Sequence, residues 1–192
     1  MHTNLKTIIN FKPCAHGITE LMNNLGHLCV EENWEDVYNS LSKEQRMKDI
    51  DFKFILESNG IEDTYWALRT QIRKTRMLIG ADIVESVLYI YEKQYPNDNR
   101  MRDWIQGIRD YCNGKITKAK LNTLKINVAA DAALVVGAAT AVVCAGYDAA
   151  YAAVNAAATA VVDANAYNAV AYVFGVMDEQ WKKNEEILRK YI

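Results

Sequence analysis

From Ala129 to Ala171 about half of the residues are alanine, with Val, Gly and Tyr between them. No other feature restricts the fold of this chain as much. Alanine is the strongest helix former, and its small side chain lets helix axes approach to the near end of the usual range, about 8 Å. The stretch is expected to form two or more tightly packed helices, apolar around much of their surface, inside a bundle or at a subunit interface. Gly137 and Gly146 permit close contact or a break, and Tyr147, Tyr151, Tyr167 and Tyr172 supply bulk that alanine lacks. Two other readings fit less well. A spanning helix needs about 20 apolar residues. The uncharged runs 132–147 and 149–162 are shorter, and Asp131, Asp148 and Asp163 punctuate the segment at intervals a bilayer would resist. Recurring aromatic and β-branched residues argue against low-complexity disorder.

The remainder of the 192 residues also reads as helical. Pro (2) and Gly (9) are scarce, which leaves few breakers and favours long helices. Asn33 is placed to cap a short helix opening at Trp34. The group Ile50, Phe52, Phe54, Ile55 and Leu56 ends at Ser58-Asn59-Gly60, a sequence suited to a C-cap in the left-handed region. Asp63 is expected to cap a helix through Trp66 toward Arg76. Met77, Ala81, Val84, Leu88 and Tyr91 recur at four- and three-residue steps, one apolar face. Tyr95-Pro96-Asn97-Asp98 then reads as a turn. Met101, Trp104, Ile105, Ile108 and Cys112 mark another amphipathic helix, ended by Asn113-Gly114. Thr117 can cap the next, and a last helix carries Tyr167, Val170, Phe174, Met177, Trp181 and Leu188 on one side. Lys6–Phe11 is too short to assign between strand and helix. The pattern predicts an all-α bundle of seven or eight helices in one domain, 1–192. Residues 1–30 are a candidate N-terminal appendage, and 117–192 form the alanine-rich half.

Composition narrows the function classes. Hydrophobic residues make up 51% and charged residues 24%, the balance of a soluble globular protein. The net charge of −2 lacks the basic excess of a nucleic-acid binder. Cys14, Cys29, Cys112 and Cys144 form no CxxC pair, and no apolar signal core follows Met-His-Thr-Asn-Leu-Lys. Reduced thiols in a cytoplasmic protein are expected. Cys14, His16, His27 and Cys29 have the spacing C-x-H-x(10)-H-x-C, which is not a zinc pattern, so no metal or cofactor is expected. There is no GxSxG, Walker A loop, HExxH or GxGxxG.

The best candidate site is cationic. Arg69, Arg73 and Arg76 are spaced i, i+4, i+7, with Trp66 three residues before Arg69. On one continuous helix they would share a face, where guanidiniums and an indole can hold a phosphate and a stacked base. The competing reading pairs these arginines with Glu62, Asp63 or Asp82. A second cluster, Asp98, Arg100, Arg102, Asp103, Arg109 and Asp110, alternates in sign as a salt-bridged surface or ion-locked turn does. Glu31, Glu32, Glu35 and Asp36 make a small negative patch that reads first as a solvated helix start and second as a surface for a basic partner.

Several runs resemble a known family. Asn59-Gly60-Ile61-Glu62-Asp63-Thr64-Tyr65-Trp66-Ala67-Leu68-Arg69 is similar to the SNG-x-x-D-x-x-W-A-L-R run of the Imm-5-like immunity proteins. So is Tyr95-Pro96-Asn97-Asp98-Asn99-Arg100 with Arg102, followed by Arg109, Tyr111 and Gly114. Gln180 through Leu188-Arg189 resembles the closing Q-x-x-x-L-R pattern. Met101 stands where many members have proline, so the turn is less rigid here. The resemblance covers roughly residues 30 to 192. It implies an all-α protein of bacterial toxin–immunity loci or phages that neutralises something by binding, with no catalytic residues supplied. Trp66, Arg69, Asp98, Arg100 and Arg109 are the positions it carries over. Three functions follow in order: a non-enzymatic protein that blocks an antibacterial or antiphage effector; a sponge for a nucleotide-derived immune signal held by Trp66, Arg69, Arg73, Arg76, Arg100 and Arg109; and an enzyme on a phosphorylated metabolite. No membrane or nucleic-acid partner is expected, and the alanine-rich helices are expected to bury surface in a homo-oligomer.

Overall fold

The computed structural model describes residues 1–129 and 169–192. The expected close packing of the alanine-rich helices, and the oligomer built on it, fall largely outside the described residues. Most of the described residues are helical, and the all-α bundle class holds. Nine α-helices are found among them, with one two-stranded ribbon. They form two compact units, Met1–Gln71 with Tyr191–Ile192, and Ile72–Lys190.

The first unit contains the ribbon, β1 (His2–Thr3) antiparallel to β2 (Ile50–Asp51), and helices α1 (Leu5–Asn10), α2 (Ala15–Asn24), α3 (Trp34–Ser40), α4 (Lys43–Met47) and α5 (Phe52–Ala67). Residues 6–11, undecided between strand and helix, are mostly α1. Asn4 fixes the choice by accepting from Thr7 N–H at 2.8 Å, a side-chain cap that satisfies one of the unpaired amides at a helix start. Residues 1–30 are built into this unit, since α1 packs on α4 and α2 on α5. Ile8, Ile18, Met22, Phe52, Ile55 and Tyr65 are buried there.

Two expected caps lie elsewhere. Asn33 does stand before α3, but its side chain accepts from Val30 N–H at 2.8 Å and makes no cap bond to the helix. Asp63 lies inside α5. Helical geometry resumes directly after Gly60, whose φ of 79° and ψ of −175° kink the helix where the sequence expects a break. Asn59 supports the kink by donating to Gly17 O at 2.8 Å and Asp63 Oδ2 at 3.0 Å. A Cβ on Gly17 would lie 2.6 Å from Asp63 Oδ2, so α2 approaches α5 closely because residue 17 is glycine.

The expected continuous helix through Arg76 is broken. After α5 the chain tightens into a 3-10 turn, Leu68–Thr70, and Gln71 is extended with φ −89° and ψ 158°. Thr70 Oγ1 donates to Ala67 O at 2.8 Å, and Gln71 Nε2 donates to His2 O at 2.8 Å. These bonds hold the end of the turn and leave Gln71 outside any helix.

The second unit contains α6 (Arg73–Gln94), α7 (Arg100–Cys112), α8 (Lys118–Ala129) and α9 (Ala169–Arg189). Its core follows the apolar periodicity. Met77, Ala81, Val84 and Leu88 of α6 meet Met101, Trp104, Ile105 and Ile108 of α7, with Leu121 of α8 closing the cluster. Gly114, at φ 74°, ends α7, and Thr117 Oγ1 caps α8 by accepting from Lys120 N–H at 3.3 Å. A buried polar link joins α9 to α6. Gln180 Nε2 donates to Ser86 Oγ and to Asn184 Oδ1, each at 2.9 Å.

Two stability outcomes follow. Trp104 is 1% exposed, so Trp104→Ala should cost about 3–5 kcal/mol in urea unfolding followed by circular dichroism. No atom lies within 4 Å of a Cβ added at Gly60, so Gly60→Ala tests the backbone alone. It should cost about 1–3 kcal/mol, and an unchanged midpoint would show that the kink relaxes.

Candidate functional site

The residues expected to share one cationic face do not share one helix. Arg69 belongs to the 3-10 turn, while Arg73 and Arg76 begin α6 beyond extended Gln71. Arg69 instead pairs locally: its guanidinium lies 5.4 Å from the centroid of the Trp66 ring, within cation–π range. Arg73 is exposed and Arg76 is half-buried.

The alternating-sign cluster resolves into ion pairs. Asp98 Oδ1 accepts from Arg100 N–H at 3.0 Å and from Arg100 Nε at 2.9 Å, locking the turn that opens α7. Arg102 pairs with Glu92, and Lys115 Nζ lies 3.6 Å from Asp110 Oδ1. Arg109 makes the densest set. Its Nη1 and Nη2 donate to the two oxygens of Glu85 at 3.0 and 2.6 Å, and Nη2 also donates to Asp82 Oδ1 at 2.6 Å. Asp82 and Glu85 are three residues apart on α6, so one guanidinium from α7 spans neighbouring positions on one face.

The titration directions follow from this geometry. The hydrogen bonds that Arg109 donates to Glu85, then the one to Asp82, raise its pKa further above the ordinary value against the opposing effect of burial. The Arg109 hydrogen bonds hold Glu85 below the usual carboxylate range. Glu85 is thereby kept ionised and moved away from a proton-transfer role near neutrality.

This clamp forms one wall of an open cleft of about 410 Å³, lined also by Ser86, Lys183, Glu186, Ile187 and Lys190. Three acidic and three basic side chains face one space. Arg109 is committed to its two carboxylates, so the cleft is a charge mosaic rather than a dedicated anion receptor. Lys183 belongs to α9, and Lys190 follows directly after the helix ends at Arg189.

The acidic patch is exposed in the first unit, at Glu31, Glu32, Glu35 and Asp36. Beside it stand two apolar residues that helical periodicity does not single out. Leu28 is 84% exposed and Val30 55%. Their segment is pinned. Asn23 Nδ2 donates to Cys29 O at 3.0 Å and Cys29 N–H donates to Asn23 Oδ1 at 2.8 Å. Cys29 is therefore turned inward, and burial raises its thiol above the ordinary value. The only sequence signal was the alternation Leu-Cys-Val, too short to read as a strand. Among the described residues no group of three His, Cys, Asp or Glu side chains could hold a metal ion, and no helix is long and apolar enough to cross a membrane.

The model of one family, described as Imm-5 like putative immunity protein, matches residues 67–191. The chain belongs to this family. The matched stretch takes in the whole of the second unit, and also Arg69, just before that unit begins; it thus covers Arg69, Arg73, Arg76, Arg100 and Arg109, while Trp66 lies one residue before it. Within this Imm-5 like segment, the Arg100 and Arg109 positions serve as ion-pair anchors. No curated protein and no solved structure matches the chain.

The clamp has a signed pH dependence. Glu85 has a lower pKa folded than unfolded, so the native state binds fewer protons. Its contribution is complete above the ordinary glutamate value of about 4.3 and is lost as pH falls through the lower folded value. Because its side chain is 48% exposed, Glu85→Gln should cost only about 0.5–1 kcal/mol at pH 7. Parallel thermal melts of the two proteins should converge only as the pH falls through that lower folded value. A difference that persists there would place the effect outside the ion pair.

Proposed function

We propose that this Imm-5 like protein is an immunity or counter-defence protein that neutralises an antibacterial or antiphage effector by binding it, without turnover. The family match over residues 67–191 carries the reading. The surfaces support it in kind. Exposed Leu28 and Val30 beside four carboxylates suit a protein partner with an apolar recess and a basic rim, since apolar anchors supply affinity and complementary charge supplies on-rate and specificity. The mixed charges of the Arg109 cleft suit a partner of matching pattern. The proposal includes action in the cytoplasm and assembly through the alanine-rich segment.

The rival readings draw on fewer residues. A nucleotide sponge would rest on cations not already paired within the chain, and Arg100 and Arg109 are paired. An enzyme on a phosphorylated metabolite would use Asp82 or Glu85, and both carboxylates accept from Arg109.

The test is co-expression with the effector encoded beside this chain in its source genome. The expected outcome is restored growth and a stoichiometric complex on size-exclusion chromatography. Leu28→Asp with Val30→Asp should weaken that complex at least tenfold without changing the circular dichroism spectrum. Protection without any complex, accompanied by loss of a nucleotide signal or conversion of a metabolite, would overturn the binding reading in favour of a sponge or an enzyme.

A further inference from the structure

We propose that the second unit holds a separate binding pocket for a small aryl carboxylate, a single aromatic ring carrying one carboxylate on a short link. The pocket lies where α6, α7 and the start of α8 meet, and it encloses about 190 Å³. Its lining divides by chemistry. Met77, Trp104, Ile108 and Leu121 supply an apolar floor, and all four are core residues exposed by 8% or less. Arg73 and Lys118 supply the charge, and both are solvent-exposed. Tyr111 and Asn122 complete the lining with a hydroxyl and an amide.

Charge selects an anion. None of the lining residues is acidic, although the whole chain has a net charge of −2. Neither Arg73 nor Lys118 has a carboxylate partner among the described residues. Neighbouring Lys74 is already engaged, donating to Cys112 O at 3.1 Å. Lys118 is the first residue of α8, so the positive end of that helix adds to the field of the two cations. The planar guanidinium of Arg73 matches a carboxylate with two parallel donors.

Volume and floor select the rest. Apolar cavities of about 150 Å³ take up benzene, so this pocket has room for one ring and a short link. Nucleotide-sized ligands use sites of roughly 300–1,000 Å³, which sets this pocket apart from one for a nucleotide signal. The Trp104 indole and the Tyr111 ring favour an aromatic guest through offset or edge contacts. The proposal is independent of the effector reading, because the two use different residues.

The experiment is titration of the full chain with phenylacetate, followed by calorimetry and saturation-transfer NMR. Benzyl alcohol, inorganic phosphate and adenosine monophosphate are the comparison probes. Saturable phenylacetate binding is expected, at least tenfold tighter than for any comparison probe. Arg73→Ala with Lys118→Ala should weaken it at least tenfold. Both residues are exposed, so the double variant should keep its melting temperature. Lys183→Ala, on the cleft, should leave phenylacetate binding unchanged. Absence of saturable binding overturns the proposal. So does binding that survives the double variant or is lost in Lys183→Ala, and so does binding matched by benzyl alcohol, phosphate or adenosine monophosphate.

Discussion

The second unit depends on the burial of Trp104. The indole belongs to a cluster contributed by α6, α7 and α8, and burying so large an apolar side chain stabilises their packing. It also fixes the rotation of α7. With Met101, Trp104, Ile105 and Ile108 turned inward, Arg109 reaches Asp82 and Glu85 on α6. Arg100, at the helix start, closes on Asp98. The same indole lies in the floor of the small pocket. Core, clamp and pocket are therefore consequences of one orientation.

The arginines sort by what the chain already offers them. Arg69 has an aromatic face, Arg100 a carboxylate two residues away, and Arg109 two carboxylates on the facing helix. Each is a satisfied cation, and drawing it toward a ligand would require breaking an existing contact. Arg73 faces a pocket with no acidic lining. Spacing alone does not distinguish these cases, because the partner is supplied by another helix.

The readable parts of the fold were those set by local periodicity. The faces of α6 and α7 follow from i, i+3, i+4 repeats, and Gly60, Gly114 and Thr117 act as the sequence suggests. The misread parts were decided by distant or competing bonds. Asn33 gives its side chain to Val30 instead of its helix, and Asp63 answers to Asn59. Gln71 is held through His2, far away in sequence. That bond lies at the interruption of the expected cationic face. Leu28 and Val30 went unnoticed because an irregular segment has no period, and only the inward turn of Cys29 reveals which way they point.

The interruption at Gln71 also bears on how such a chain can diversify. The described structure changes from one compact unit to the other between Gln71 and Ile72, a few residues after the family match begins at 67. The part recognisable as Imm-5 like thus contains the second unit and its buried cluster around Trp104. The segment before it has a core of its own, around Ile18, Phe52 and Tyr65. Substitutions at Leu28, Val30 and the neighbouring carboxylates can accumulate without disturbing the packing of Trp104. A chain divided in this way can vary the exposed face of one unit while the buried helical core of the other stays fixed.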